Sequence, residues 1–325
     1  MEFLTFDALQ HHLLALFKAG EFEAVRELAA EQTVSFPEQV HILAYWQITA
    51  AARQMDYPAA MQQIRRLLER GFWYGESVLT LSPSLQPLQE LPEFISLVEA
   101  SRALRAHAEK DIFPLLVLRQ PGRGQKGSAP APLMLALHTN GGTVQDSLSF
   151  WKPAASEGWI AAAPQSTQAV WKGAYVWDDR FTATGDVQRH YQSLVSQYAI
   201  DPRRVVLAGH SLGGETAMWL ALSEQIPALG FIAFGPAGPL VDDPEQFQDL
   251  LFEAAKLRLR GYVIFGEEDE NIPQENIRKL VDLLNATGTP TGLESVPHAG
   301  HDYDPVYDES MQRALEFIFP GGGRG

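Results

Sequence analysis

The sequence predicts an α/β domain with a mainly parallel sheet over residues 109–320, preceded by an all-helical domain over residues 1–108 and followed by a short flexible tail over 321–325. Three observations carry this reading. Between Leu4 and Arg105 apolar residues recur at helical spacing among abundant Ala, Leu, Gln, Glu and Arg, with no strand-like run. Beyond residue 108 the pattern changes to short apolar runs bounded by Gly or Pro and separated by helical segments. One of these runs leads through Gly209-His210-Ser211-Leu212-Gly213 directly into a helix rich in small residues.

Within the helical part, Ala19-Gly20-Glu21-Phe22-Glu23-Ala24-Val25 and Gln54-Met55-Asp56-Tyr57-Pro58-Ala59-Ala60-Met61 resemble each other at an offset of 35 residues. That spacing is close to the tetratricopeptide period, in which a small residue lets two antiparallel helices approach and an aromatic fills the gap. Two copies do not by themselves separate such an array from an unrelated helical bundle, because arrays generally need more repeats to stabilise themselves. The stretch from Gly71 to Phe94 is richer in aromatics and Pro and reads as a helical cap before a last helix from about Pro92 to Ala108.

The strand candidates follow in order: Leu115–Leu118, Leu133–Leu137, Trp159–Ala163, Val205–Ala208, Phe231–Phe234, Tyr262–Phe265 and Gly292–Val296. Runs this short and this continuously apolar suit strands buried on both faces of a parallel sheet. The segment from Pro121 to Pro132 reads as a surface loop, and the closing Gly-Gly-Gly-Arg-Gly as a frayed tail.

Composition narrows the function. The chain has 325 residues, 46% of them hydrophobic, and a formal net charge of −15, which repels phosphate backbones and anionic lipid surfaces and disfavours nucleic-acid binding. No apolar run is long enough to span a bilayer, and the first residues lack the basic start of a secretory signal, so a cytoplasmic protein without membrane insertion is expected. There is no cysteine, which removes disulfides, thiolate nucleophiles and cysteine-based zinc sites.

Chemistry concentrates at Ser211. In a strand, G-x-S-x-G, helix arrangement the serine sits on a sharp strained turn, and side chains two before and two after it would collide with neighbouring backbone. The turn raises the hydroxyl at the carboxyl edge of the sheet and at a helix N-terminus, where free N–H groups favour developing negative charge. A nucleophilic serine needs a base, and the base needs an orienting acid. Downstream, the strand Gly261–Phe265 runs into Gly266-Glu267-Glu268-Asp269-Glu270-Asn271-Ile272-Pro273, where four carboxylates compete; Asp269, three after the Gly and four before the Pro, is the candidate acid. The segment Val296-Pro297-His298-Ala299-Gly300-His301-Asp302 supplies the candidate base His301, after Gly300, with His298 as runner-up. An H-x-x-H pair off a helix is a weak metal signature. The tetrahedral intermediate also needs an oxyanion hole. The backbone N–H of Leu212 is one expected donor. The loop His138-Thr139-Asn140-Gly141-Gly142 should supply the other from Asn140, with Gly141 as fallback.

With these segments in this order, the second domain resembles the α/β-hydrolase superfamily, in particular its phospholipase/carboxylesterase branch and the dienelactone-hydrolase and polyhydroxybutyrate-depolymerase-like relatives. Ala163-Pro164-Gln165-Ser166, Tyr175-Val176-Trp177-Asp178-Asp179, Ile200-Asp201-Pro202-Arg203-Arg204-Val205 and Glu316-Phe317-Ile318 add to the likeness. Thr139 stands where many relatives have Gly after His, and Leu212 where much of the carboxylesterase branch has Gln. The helical part lies outside that core and resembles tetratricopeptide-type extensions of some bacterial hydrolases. The resemblance implies an α/β-hydrolase fold and cofactor-free hydrolysis of carboxylic esters through an acyl-enzyme, with Ser211 attacking, His301 shuttling the proton and Asp269 holding the imidazole.

Only about one helix fits between Gly235 and Gly261, so no large lid is expected there. Phe72, Trp73 and Tyr74 could cover the site and shape an acyl pocket with Trp171, Tyr175 and Trp177, the alternative being that these aromatics pack in the interior. The acidic residues Glu267, Glu268, Glu270, Asp302, Asp304 and Asp308 favour small neutral esters of short to medium acyl chains. Two other readings remain: a prolyl-oligopeptidase-like peptidase, or an interaction protein whose helical domain recruits a protein partner or a second copy beside a vestigial hydrolase.

Overall fold

The computed structural model describes residues 3–118, 124–125 and 127–320; part of the expected loop over 121–132 and the whole tail lie outside the described residues. The chain divides into two compact units, Met1–Asp111 with Ala169–Gly173, and Ile112–Gln168 with Ala174–Gly325.

In the first unit, helices α1 (Phe6–Lys18), α2 (Phe22–Glu31), α3 (Val40–Arg53) and α4 (Tyr57–Glu69) pack each on the next, followed by α5 (Glu76–Thr80) and α6 (Pro92–Ala108). The two segments related by 35 residues become two equivalent interhelix turns. Gly20 and Met55 take left-handed φ values of 81° and 62°, and the following N–H groups, of Glu21 and Asp56, donate to Leu16 O and Ala51 O at 3.0 and 2.9 Å. Phe22 and Tyr57 then begin the second helix of each hairpin, and Asp56 caps α4 by accepting from Ala59 N.

The aromatics expected over the site pack within this unit. Tyr74 is buried, donates its hydroxyl to His41 O at 2.6 Å and exchanges both backbone hydrogen bonds with Ser101 Oγ. Phe72 stacks on His41, Trp73 is buried, and Trp171 packs against the same cluster. Trp73 and Tyr74 therefore follow the interior-packing alternative, and Phe72 and Trp171 are half-buried against the same cluster.

The second unit is built on a seven-stranded sheet. Its strands are β1 (Leu115–Leu118), β2 (Ala131–Leu137), β3 (Ile160–Pro164), β6 (Ile200–His210), β7 (Gly230–Phe234), β8 (Arg260–Gly266) and β9 (Thr291–Val296), with β4 (Ala169–Trp171) and β5 (Ala174–Tyr175) outside it. The spatial order is β1-β3-β2-β6-β7-β8-β9; β1 runs antiparallel to β3 and every other neighbouring pair is parallel. The seven apolar runs in the sequence are these seven strands.

Continuous hydrophobicity follows from burial of both faces. Leu133, Leu135, Leu137, Val205, Leu207, Phe231, Ala233, Val263 and Phe265 point to one core with α8 (Arg180–Gln197), α9 (Leu212–Leu222), α10 (Pro239–Asp242), α11 (Gln248–Ala254) and α12 (Gln274–Thr287). The alternate residues Met134, Ala136, Val206, Ala208, Ile232, Phe234 and Ile264 point to the other, with α7 (Leu148–Ser156) and α13 (Tyr307–Ile318). Chain order reverses between β2 and β6, where Leu137 pairs with Gly209, so the loops leaving these two strands emerge side by side. Such a switch point is where open α/β sheets place their ligands. No helix of the described residues is long and apolar enough to cross a membrane.

Candidate active site

Ser211 lies between β6 and α9 with φ 56° and ψ −126°, a conformation costly for a residue with a side chain. Its surroundings hold it there. Its N–H donates to Phe234 O at 2.9 Å, and its carbonyl accepts from Ala237 N at 3.2 Å and Glu215 N at 3.1 Å. The flanking glycines are needed sterically, since a Cβ on Gly209 would overlap the backbone of Gly213 and a Cβ on Gly213 that of His138. Ser211 is 7% exposed.

Of the four carboxylates after β8, only Asp269 is buried. Its Oδ2 accepts from His301 Nδ1 at 2.8 Å and its Oδ1 from Asn271 N at 2.9 Å. Burial raises the Asp269 pKa, but the hydrogen bond and charge of His301, the Asn271 N–H and His210 outweigh it and hold the carboxyl below its ordinary value. With its Nδ1–H given to Asp269, the neutral His301 ring keeps the Nε2 lone pair for a proton. His298 takes another course: it is exposed, at φ 59°, and meets the exposed Glu268 at 3.1 Å. Gly235 makes room for the pair, since a Cβ there would stand 3.2 Å from His301 Nδ1 and 3.3 Å from Asp269 Oδ2.

The loop after β2 is braced from behind. His138 is fully buried; its Nδ1–H donates to Thr139 O at 2.8 Å and its Nε2 accepts from Ser166 N at 3.2 Å and Gln165 Nε2 at 2.9 Å. Burial, only partly opposed by the Thr139 carbonyl and Asp146, lowers its pKa to about 4. Trp177 donates its indole N–H to His138 O at 3.0 Å. Trp177 is 1% exposed, so the expected substrate contact is replaced by a supporting one; this indole hydrogen bond and the His138–Gln165 contacts were not legible in sequence, because partners 27 and 39 residues apart follow no local pattern.

Gly141, the fallback oxyanion donor, already gives its N–H to Tyr175 O at 2.8 Å, and Tyr175 N donates to Gly142 O at 3.3 Å. Tyr175 is thereby a half-buried partner of the loop. Asn140 is exposed at the loop tip, and Leu212 is the first residue of α9, where an N–H has no intrahelical acceptor. Among the described residues no group of three or more His, Asp or Glu could hold a metal ion.

One buried charge pair was missed by sequence reasoning. Glu215, in the first turn of α9, is 2% exposed, meets Arg180 at 2.6 Å and accepts from Leu240 N at 3.0 Å. Burial raises its pKa, and the Arg180 charge and the Leu240 N–H only partly offset this.

The chain is similar to known hydrolases. A protein of Escherichia coli K12 provisionally named carboxymethylenebutenolidase is 26% identical over 231 residues, covering 62% of this chain and 82% of its own. A Salmonella typhimurium protein given the same provisional name is 29% identical over 150 residues, covering 42% of this chain and 53% of that one. Among solved structures, an uncharacterized Bacillus cereus protein matches along 97% of this chain and 99% of its own with a TM-score of 0.54 at 23% identity. A dienelactone hydrolase-like promiscuous phosphotriesterase, P91, from metagenomic libraries matches 65% of this chain and 93% of its own with a TM-score of 0.51 at 16% identity. At these identities the structural matches speak to the fold alone, an α/β hydrolase. The family model for dienelactone hydrolases matches residues 124–314, which span the elbow at Ser211, the carboxylate after β8 and the histidine loop, and the chain therefore belongs to the dienelactone hydrolase family, a family of hydrolases acting on ester-type substrates.

Proposed function

We propose that the protein hydrolyses neutral carboxylic esters of short to medium acyl chain through an acyl-enzyme. His301 Nε2 takes the proton of Ser211 as Oγ adds to the ester carbonyl; the tetrahedral oxyanion rests on the N–H groups of Leu212 and Asn140. Collapse expels the alcohol with the proton returned by His301. Water, activated by the same imidazole, then releases the acid and restores Ser211. Asp269 keeps Nδ1 protonated and stabilises the imidazolium.

The observation that carries this reading is the 2.8 Å bond from His301 Nδ1 to the buried Asp269, on a loop beside the strained turn at Ser211. The exposed Glu267, Glu268, Glu270, Asp302 and Asp304 flank this pair in sequence, and their field favours uncharged substrates.

Labelling by a fluorophosphonate probe, followed by p-nitrophenyl ester and aminoacyl-anilide turnover, tests it. Labelling and ester turnover lost in Ser211→Ala and His301→Ala, with anilides poorly cleaved throughout, is the expected result. Anilides cleaved as well as esters would instead favour the peptidase reading.

A further inference from the structure

We propose that His210, the residue before the nucleophile, is a positioning residue that fixes the base His301 relative to Ser211. The inference rests on the catalytic reading given above.

The loop that carries His301 is held at three successive carbonyls, each by a different part of the fold. Ala299 O accepts from Glu268 N at 2.9 Å, Gly300 O from the Tyr307 hydroxyl at 2.7 Å, and His301 O from His210 Nε2 at 2.8 Å. Only the last of these donors belongs to the strand that leads into Ser211. Asp269 fixes the imidazole from its Nδ1 side but sits on the loop after β8, and no hydrogen bond joins Ser211 Oγ to His301 among the described residues. The His210 contact is thus a direct tie between the side chain of the residue before the nucleophile and the backbone carbonyl of the base. A catalytic base displaced by about 1 Å can lose on the order of a hundredfold in rate.

The donor itself is immobilised. His210 is 5% exposed, its ring stacks on Phe150 at 4.5 Å with an interplanar angle of 28°, and it lies 4.7 Å from the His301 ring. Because a carbonyl can only accept, Nε2 must carry the proton, which settles the tautomer. Burial, then the neighbouring His301 charge, lowers the His210 pKa to about 3. So weak a base cannot replace His301 in proton transfer at neutral pH, and it stays uncharged when His301 becomes imidazolium.

The test compares wild type with His210→Phe, which keeps a flat ring but removes the donor, and His210→Gln, whose amide N–H can occupy the place of Nε2–H. His210→Met removes the donor by a second route should the Phe variant not fold. The Nδ1–H proton resonance of His301, identified by its loss in His301→Gln, reports the base's placement in the resting enzyme without any substrate. Fluorophosphonate labelling and ester kinetics report its consequence. We expect the Phe or Met variant to broaden or lose that resonance and to lower kcat and the labelling rate together by about 10- to 100-fold with KM changed less than about threefold, and His210→Gln to recover both. An unchanged resonance and kcat without the donor, a loss confined to KM, or a Gln variant as defective as Phe would overturn the proposal. Wild type that neither labels nor hydrolyses esters would overturn the catalytic reading instead, while the resonance would still decide whether His210 fixes the loop.

Discussion

Gly213 packs directly against the backbone carbonyl of His138, so close that a Cβ on the glycine would overlap that oxygen and crowd the Leu137 carbonyl. The start of α9 and the loop after β2 are thereby set in one register, and the two expected oxyanion donors, Leu212 and Asn140, lie one residue before Gly213 and two after His138. Gly213→Ala should separate them. We expect ester turnover to fall by about 10²–10³-fold, the scale of losing one oxyanion donor, and stability by about 1–3 kcal/mol for overpacking. Turnover near wild type in the folded variant would show that the contact does not set the donor geometry.

Asp269→Asn tests the carboxylate rather than the shape. The amide can present its N–H to His301 Nδ1 and stabilise the wrong tautomer, removing the lone pair from Nε2. A drop in kcat of about 10⁴-fold with little loss of stability is expected. Similar changes at Glu267, Glu268 or Glu270, all exposed, should leave kcat within a few-fold.

Of the four buried histidines, the three with strongly lowered pKa values make the fold acid-labile. Burial lowers His41 and His138 to about 4 and His210 to about 3, against 6.5 for the free side chain. Between these values and 6.5 the unfolded chain binds protons that the folded one does not, so stability falls as pH falls through that window and is insensitive to these groups above it. At pH 5 each histidine should cost about 2 kcal/mol relative to pH 7. Urea unfolding at pH 7, 6 and 5 reads this directly; equal stability at all three would contradict it.

The equivalent turns at Gly20 and Met55 predict opposite effects of reciprocal changes. Met55 is 74% exposed and left-handed, so Met55→Gly should relieve strain of about 1–2 kcal/mol, less the added unfolded-chain entropy, for a net gain of up to about 1 kcal/mol. Gly20 has nothing within 4 Å of its Cβ position, so Gly20→Ala should cost about 1 kcal/mol by conformation alone. Thermal midpoints of the two variants moving the same way would refute the equivalence.

The Arg180–Glu215 pair should be sensitive to removal of either side alone. Arg180→Met would leave an unpaired carboxylate, 2% exposed, in the first turn of α9, and a loss of about 3–5 kcal/mol is expected. Chemical denaturation of Arg180→Met alongside the double change with Glu215→Leu checks this, since the double variant should recover much of the loss.

What the sequence determined by itself was everything carried by local pattern. Apolar runs bounded by Gly or Pro marked the strands, because inner strands such as β2, β3 and β7 are buried on both faces, whereas the edge strand β9 is half-buried and admits Glu294 and Ser295. The glycines around Ser211 marked the elbow, because that turn excludes side chains. The spacing after β8 and β9 pointed to Asp269 and His301 for the same local reason. Tertiary structure decided what depends on meetings across the sheet. It chose Asp269 over its three exposed neighbours by burial and a 2.8 Å bond, turned Trp177 from a substrate contact into a brace on His138, committed the Gly141 N–H to Tyr175, and placed His210 against the His301 carbonyl, 91 residues away. Such partners are set by strand order and register, and a hydrogen bond between elements leaves no periodicity in the chain from which it could be read.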